Sequence, residues 1–174
     1  KVLAQVSTYM KQNQDKKIAL LTHSMGSIVL QKYIQTFGWE YKDKIFSNVL
    51  FTSPDADNKN HAEWLDQVAE VENVYVTINQ DDDILEKSTD AREKGVFALG
   101  LNPVKPFSIK ATYVDLTRMG SSVGAATGTH EVFNKESMKD QKNVCEVLEA
   151  LISSKSPNIT AATVATSITG YLKF

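Results

Sequence analysis

The chain has 174 residues, 42% hydrophobic and 23% charged, the composition of one ordinary globular domain whose core needs no disulfide or metal staple. A formal net charge of −2, with lysines and acids interspersed, gives no reason to expect nucleic acid or an anionic membrane surface as a partner. One cysteine excludes an intrachain disulfide, three histidines leave little material for a zinc site, and no run of about 18 apolar residues is present to span a bilayer.

In chain order, residues 2–11 place Val2, Leu3, Val6, Tyr9 and Met10 at helical spacing. After a polar connector, Ile18-Ala-Leu-Leu is a short continuous apolar run, expected of a strand buried on both faces of a parallel sheet. Residues 25–37 read as a helix with Ile28, Val29, Tyr33 and Ile34 on one face, ending near Gly38. A second strand is expected over 46–52, a helix over 61–71, and a third strand, rich in β-branched residues, over 74–78. A short helix over 84–92, a loop over 95–106 and a fourth strand over 111–116 follow. The stretch 120–129 is a glycine-rich loop that delivers His130, and a last helix is expected over 140–153. Residues 157–174 show no clear period and stay unassigned. Cys145, on an apolar-periodic stretch, reads as a small buried hydrophobe. Strand and helix alternate throughout, so the expected fold is α/β: a three-layer α/β/α sandwich on a mainly parallel sheet, with residues 1–155 as the domain and 156–174 as a tail.

The segment that carries chemistry is Thr22-His23-Ser24-Met25-Gly26, where a buried strand runs directly into an amphipathic helix. It is the G-x-S-x-G nucleophile elbow with Thr22 in place of the first glycine. A serine on so sharp a turn is held at the carboxyl end of the sheet, and small residues two before and two after it make room. The turn also puts the free N–H groups of the next helix beside a developing oxyanion. The bland reading is an ordinary strand-to-helix turn with Ser24 as a helix cap. A flavodoxin-like nucleotide site is disfavoured, because Thr-His-Ser-Met-Gly makes a poor phosphate loop.

The His-Ser-Met-Gly string resembles lipases and esterases of the α/β-hydrolase superfamily. Within it, the chain resembles the DUF900 family through His23-Ser-Met-Gly26, Pro54-Asp55, Asp82-Asp-Ile-Leu85-Glu-Lys-Ser88 and Gly128-Thr-His130, in that order. The resemblance implies a serine hydrolase that cleaves carboxylic esters of small molecules or lipids through an acyl-enzyme, with no cofactor and no metal. Superfamily order is serine, acid, histidine, which implies Ser24 as nucleophile, an acid after the third strand and His130 as base. Asp81, Asp82 and Asp83 all follow that strand; Asp82 fits the family spacing, and Asp55 is a further candidate or an orienting residue. Met25 would supply one oxyanion N–H. His23 is expected to face away from the pocket, and His61 to be an exposed helix-start residue.

The family's early strands, and the loop that supplies a second oxyanion donor, have no counterpart before residue 18. The chain is therefore expected to be the C-terminal part of such a domain, with a bare edge on its elbow strand, and to need its N-terminal half or an oligomeric partner. The competing class is an inactive α/β-hydrolase-fold binding module or an incomplete fragment. Localisation is left open, since a lone cysteine suits the cytoplasm and an export signal could have preceded Lys1.

Overall fold

The apolar run after Ile18 does form a strand. In a computed structural model of the chain, described over residues 2–39, 45–117, 130–133, 142–153 and 171–173, it is β1 (Ala19–His23). Helix α1 (Val2–Gln12) precedes it, and α2 (Gly26–Phe37), β2 (Asn48–Thr52), α3 (His61–Leu65), β3 (Asn73–Ile78), α4 (Asp83–Thr89), β4 (Ala111–Asp115), α5 (Lys142–Ser153) and β5 (Tyr171–Lys173) follow. The strands form one sheet in the order β1-β2-β3-β4-β5, and every pairing is parallel.

The register sorts the side chains. Phe51 lies beside Val76 and Leu50 beside Tyr75, so alternate residues of each strand face opposite layers. One face (Val49, Phe51, Val76, Ile78) packs on Leu30 and Ile34 of α2 and on Trp64 and Leu65 of α3, with Phe51 and Trp64 in an edge-on contact at 5.3 Å. The other face (Leu50, Tyr75, Val114) is covered by Val144, Val147 and Leu151 of α5. This is the expected three-layer sandwich. All of β2 and all but the first residue of β3 are buried, as a parallel strand covered on both faces should be. β1 is different: it lies at the sheet edge, none of its residues is fully buried, and Leu21 is 44% exposed.

Several expectations change. The helix expected over 61–71 ends at Leu65, because Asp66 to Val68 turn back on the carbonyls of Ala62, Trp64 and Leu65. Val29 is 72% exposed; the buried stripe of α2 is Ser27, Leu30, Gln31 and Ile34. Cys145 is exposed on α5, whose buried positions are Val144, Val147, Ala150 and Leu151. Residues 171–173, unassigned from sequence, pair with β4. The glycine-rich stretch 120–129 lies outside the described residues. No described helix is long and apolar enough to cross a membrane.

Candidate active site

Parallel strands end on the same rim, and in such sheets ligands bind beyond the carboxyl ends. That rim gathers Ser24 after β1, the Ser53–Asp55 turn after β2 and Asp82 after β3.

Ser24 has φ +50°, a left-handed conformation that costs a non-glycine residue about 1–3 kcal/mol and persists only where its surroundings hold it. Here the β2 exit holds it. Ser24 N–H donates to Thr52 O at 3.1 Å, Asp55 N–H donates to Ser24 O at 3.2 Å, and Ser27 Oγ donates to Ser24 O at 2.6 Å while accepting from Ala56 N–H at 3.0 Å. Thr22, in the place of the usual glycine, is accommodated half-buried: a Cβ added at Gly26 would lie 3.8 Å from Thr22 Cβ, an ordinary contact. Its own Oγ1 is buried with no hydrogen-bond partner among the described residues. Met25 precedes the first turn of α2, is 67% exposed, and its N–H donates to no backbone carbonyl among the described residues.

Of the three consecutive acids, Asp81 and Asp83 are exposed and Asp82 is fully buried. Asp82 has extended backbone angles and caps α4, with Oδ1 accepting from Ile84 N–H at 3.1 Å and Leu85 N–H at 3.0 Å. The same carboxylate meets His130 Nδ1 at 2.8 Å and 3.0 Å. Because an ionised carboxylate only accepts, His130 Nδ1 is the donor and Nε2 carries the free lone pair. Burial works against charge on His130, but the hydrogen bond and charge of Asp82, helped by Glu131 and Asp55, outweigh it and hold its pKa above the ordinary value of 6.5. His130 O in turn accepts from Ser53 Oγ at 2.7 Å, which anchors the residue's backbone to the β2 exit. Among the described residues no hydrogen bond joins Ser24 Oγ to His130. The structure thus brings Asp82 and His130 together and, among the described residues, leaves the Ser24 hydroxyl unconnected to them.

Next to His130 lies a cavity of about 220 Å³ under the carboxyl ends of β1 to β3, with Leu21, Val132, Phe133 and Leu148 as apolar walls and His23, Thr52 and Thr77 as polar ones. Ser24 is not among its lining residues. His23 therefore faces the cavity and not away from it, since the two-residue period of β1 puts it on the same side as Leu21. Its ring lies 4.9 Å from that of His130, centroid to centroid. Thr52 Oγ1 donates its single proton to Thr22 O at 3.1 Å, so His23 Nδ1 is the donor to Thr52 Oγ1 at 3.2 Å. Partial burial of the ring, then the neighbouring His130, hold the His23 pKa below 6.5.

The remaining candidates are otherwise engaged. Asp55 is buried and paired with Arg92 at 2.7 Å and with Ser88 Oγ, which occupies it as an orienting group. His61 begins α3 as expected but is 1% exposed, not a surface residue: Nδ1 donates to Asn58 O and Nε2 accepts from Tyr113 O–H, both at 2.7 Å. Arg92 carried no signal in the sequence, because its acidic partners Asp55 and Asp57 lie 37 and 35 residues away.

A three-layer sandwich on a parallel sheet, with a left-handed serine between the end of β1 and α2, is α/β-hydrolase architecture. The model of DUF900, described as an alpha/beta hydrolase of unknown function, matches residues 1–124, and the chain belongs to that family. The matched span includes Ser24, Asp55 and Asp82; His130 lies beyond it. No curated protein and no solved structure matches the chain.

Proposed function

We propose that the chain is a serine hydrolase that cleaves carboxylic esters, with Ser24 as nucleophile, His130 as general base and acid, and Asp82 as the orienting carboxylate. The observation that carries the reading is Ser24 at φ +50° between β1 and α2, strain held in place by four hydrogen bonds to the β2 exit and Ser27. The Asp82–His130 pair supports it by fixing Nδ1 as the protonated nitrogen, so that the neutral ring presents Nε2 to the serine.

In this reading His130 Nε2 takes the Ser24 hydroxyl proton as Oγ attacks the ester carbonyl. The carbonyl oxygen becomes an oxyanion beside the Met25 N–H. Collapse expels the alcohol, which leaves with the proton from His130, and water repeats the sequence to free the acid. The missing Ser24–His130 hydrogen bond is a contact that substrate-free enzymes often make only in the complex. The apolar cavity beside His130 suits the hydrocarbon part of a small-molecule or lipid ester.

Hydrolysis of p-nitrophenyl esters of increasing chain length tests this. The wild-type chain is expected to turn over, with Ser24→Ala and His130→Ala each losing roughly 10²-fold or more. Equal rates in all three proteins would contradict it and favour the binding module.

A further inference from the structure

The acid and the nucleophile come from separate strands, so something must fix the distance between the elbow and α4. The motif residues Pro54-Asp55 and Leu85-x-x-Ser88 meet at one point, and at that point stands a residue outside every motif. Arg92, 12% exposed in its side chain, turns its guanidinium onto three residues. One terminal nitrogen donates to both the carboxylate, at 2.7 Å, and the carbonyl of Asp55; the other donates to Ser88 Oγ; and Nε donates to Asp57 Oδ1 at 2.9 Å. Ser88 Oγ closes the cluster by donating to Asp55 Oδ1. Asp55 N–H meanwhile donates to Ser24 O, and Ser88 belongs to the helix that Asp82 caps.

We propose that Arg92 is a positioning residue of the hydrolase site: through Asp55 it sets the elbow, through Ser88 it sets α4, and so it fixes Ser24 relative to the Asp82–His130 pair. The proposal rests on the serine-hydrolase reading and names a determinant of it that lies on neither reacting group. A planar guanidinium is required because its fork reaches Asp55, Ser88 and Asp57 together, whereas one ammonium cannot. Ser88 has the complementary task of joining the Asp55–Arg92 pair to α4.

The test uses Arg92→Lys, Ser88→Ala and Arg92→Met, each measured well below its own thermal unfolding midpoint. Two quantities are read: the rate at which a fluorophosphonate labels Ser24 as a function of pH, and the titration midpoint of the His130 imidazole by NMR. His23, Asp82, Glu131 and Asp55 are the titratable neighbours that bear on that midpoint. Labelling in Arg92→Lys and Ser88→Ala is expected to fall about 10- to 100-fold, the scale of a misplacement near 1 Å. The His130 midpoint should move down toward 6.5 as its contact with Asp82 loosens. A purely structural role would lower the unfolding midpoint and leave both readouts of the folded protein unchanged. That result in Arg92→Lys and Ser88→Ala overturns the proposal, even where Arg92→Met fails to fold because Asp55 is left buried and unpaired. If wild-type Ser24 takes no label, the serine-hydrolase reading fails by itself. The His130 titration in the same variants then decides whether the cluster positions α4.

Discussion

Gly100 has no room for a side chain: a Cβ there would lie 2.7 Å from Pro54 Cδ, 2.8 Å from Pro54 N and 2.9 Å from Leu85 Cδ1. Gly100→Ala must push the Pro54–Asp55 turn or Leu85, and is expected to cost about 1–3 kcal/mol in urea unfolding. Gly26→Ala, with its nearest contact at 3.8 Å and a gain in helix propensity, is expected to leave stability unchanged or slightly raised in the same measurement. The elbow motif makes Gly26 look indispensable; the packing moves that burden to Gly100, which no motif contains. Asp82→Asn tests the charge on the other side of the site. In its proposed role as base His130 acts only when neutral, so the proposal predicts that kcat/KM rises with pH through a midpoint above 6.5. The variant should move that midpoint down and lower the plateau roughly 10²- to 10⁴-fold. Stability runs the opposite way. The raised His130 pKa means that its pairing with Asp82 contributes fully below the unfolded value of 6.5 and is lost as pH rises through the folded one. Asp82→Asn should therefore cost more stability at about pH 5.5 than at about pH 8.5.

Helix α3 shows how an element is tied to the sheet through one polar side chain. Ser108 N–H donates to Tyr113 Oη at 3.0 Å, Tyr113 O–H donates to His61 Nε2, and His61 Nδ1–H donates to Asn58 O. Every group in this relay is used once, with His61 neutral, and burial holds its pKa below 6.5. The stability it contributes is present above about pH 6.5 and lost as pH falls from there through the folded pKa. His61→Ala is expected to cost about 2–4 kcal/mol at neutral pH and less in mild acid, read by urea unfolding across pH. None of this was legible from the chain, because His61 and Tyr113 are 52 residues apart and a histidine at a helix start looks like a surface residue. What was legible is local. The apolar runs at 18–21 and 74–78 became β1 and β3, and the junction at Ser24 followed from a strand run meeting a helical stripe. Strand β5, only Tyr171–Lys173, is too short to show a period.

For the molecule as a whole, the sheet ends on β1 at one side and on β5 at the other. The outer edge of β1 has no strand partner among the described residues, and Leu21 of that strand is 44% exposed, as are Met25 (67%) and Val29 (72%) in the segment that follows it. A parallel strand edge with such neighbours invites pairing with another chain. The isolated 174-residue chain is therefore expected to self-associate as its concentration rises in sedimentation velocity, and Leu21→Lys to shift it toward monomer. A wild-type chain that stays monomeric throughout would contradict this. The edge was legible in advance from the lack of any apolar strand run before residue 18. The cavity beside His130 was not, because its walls come from β1, the turn after His130 and α5. Only the closed sandwich brings these together.

The most direct measurement is treatment of the chain with a fluorophosphonate, followed by peptide mass spectrometry to place the adduct. The account predicts one adduct, on Ser24, that is lost in Ser24→Ala and strongly slowed in His130→Ala. An unlabelled Ser24, or labelling of another serine that survives Ser24→Ala, would contradict it.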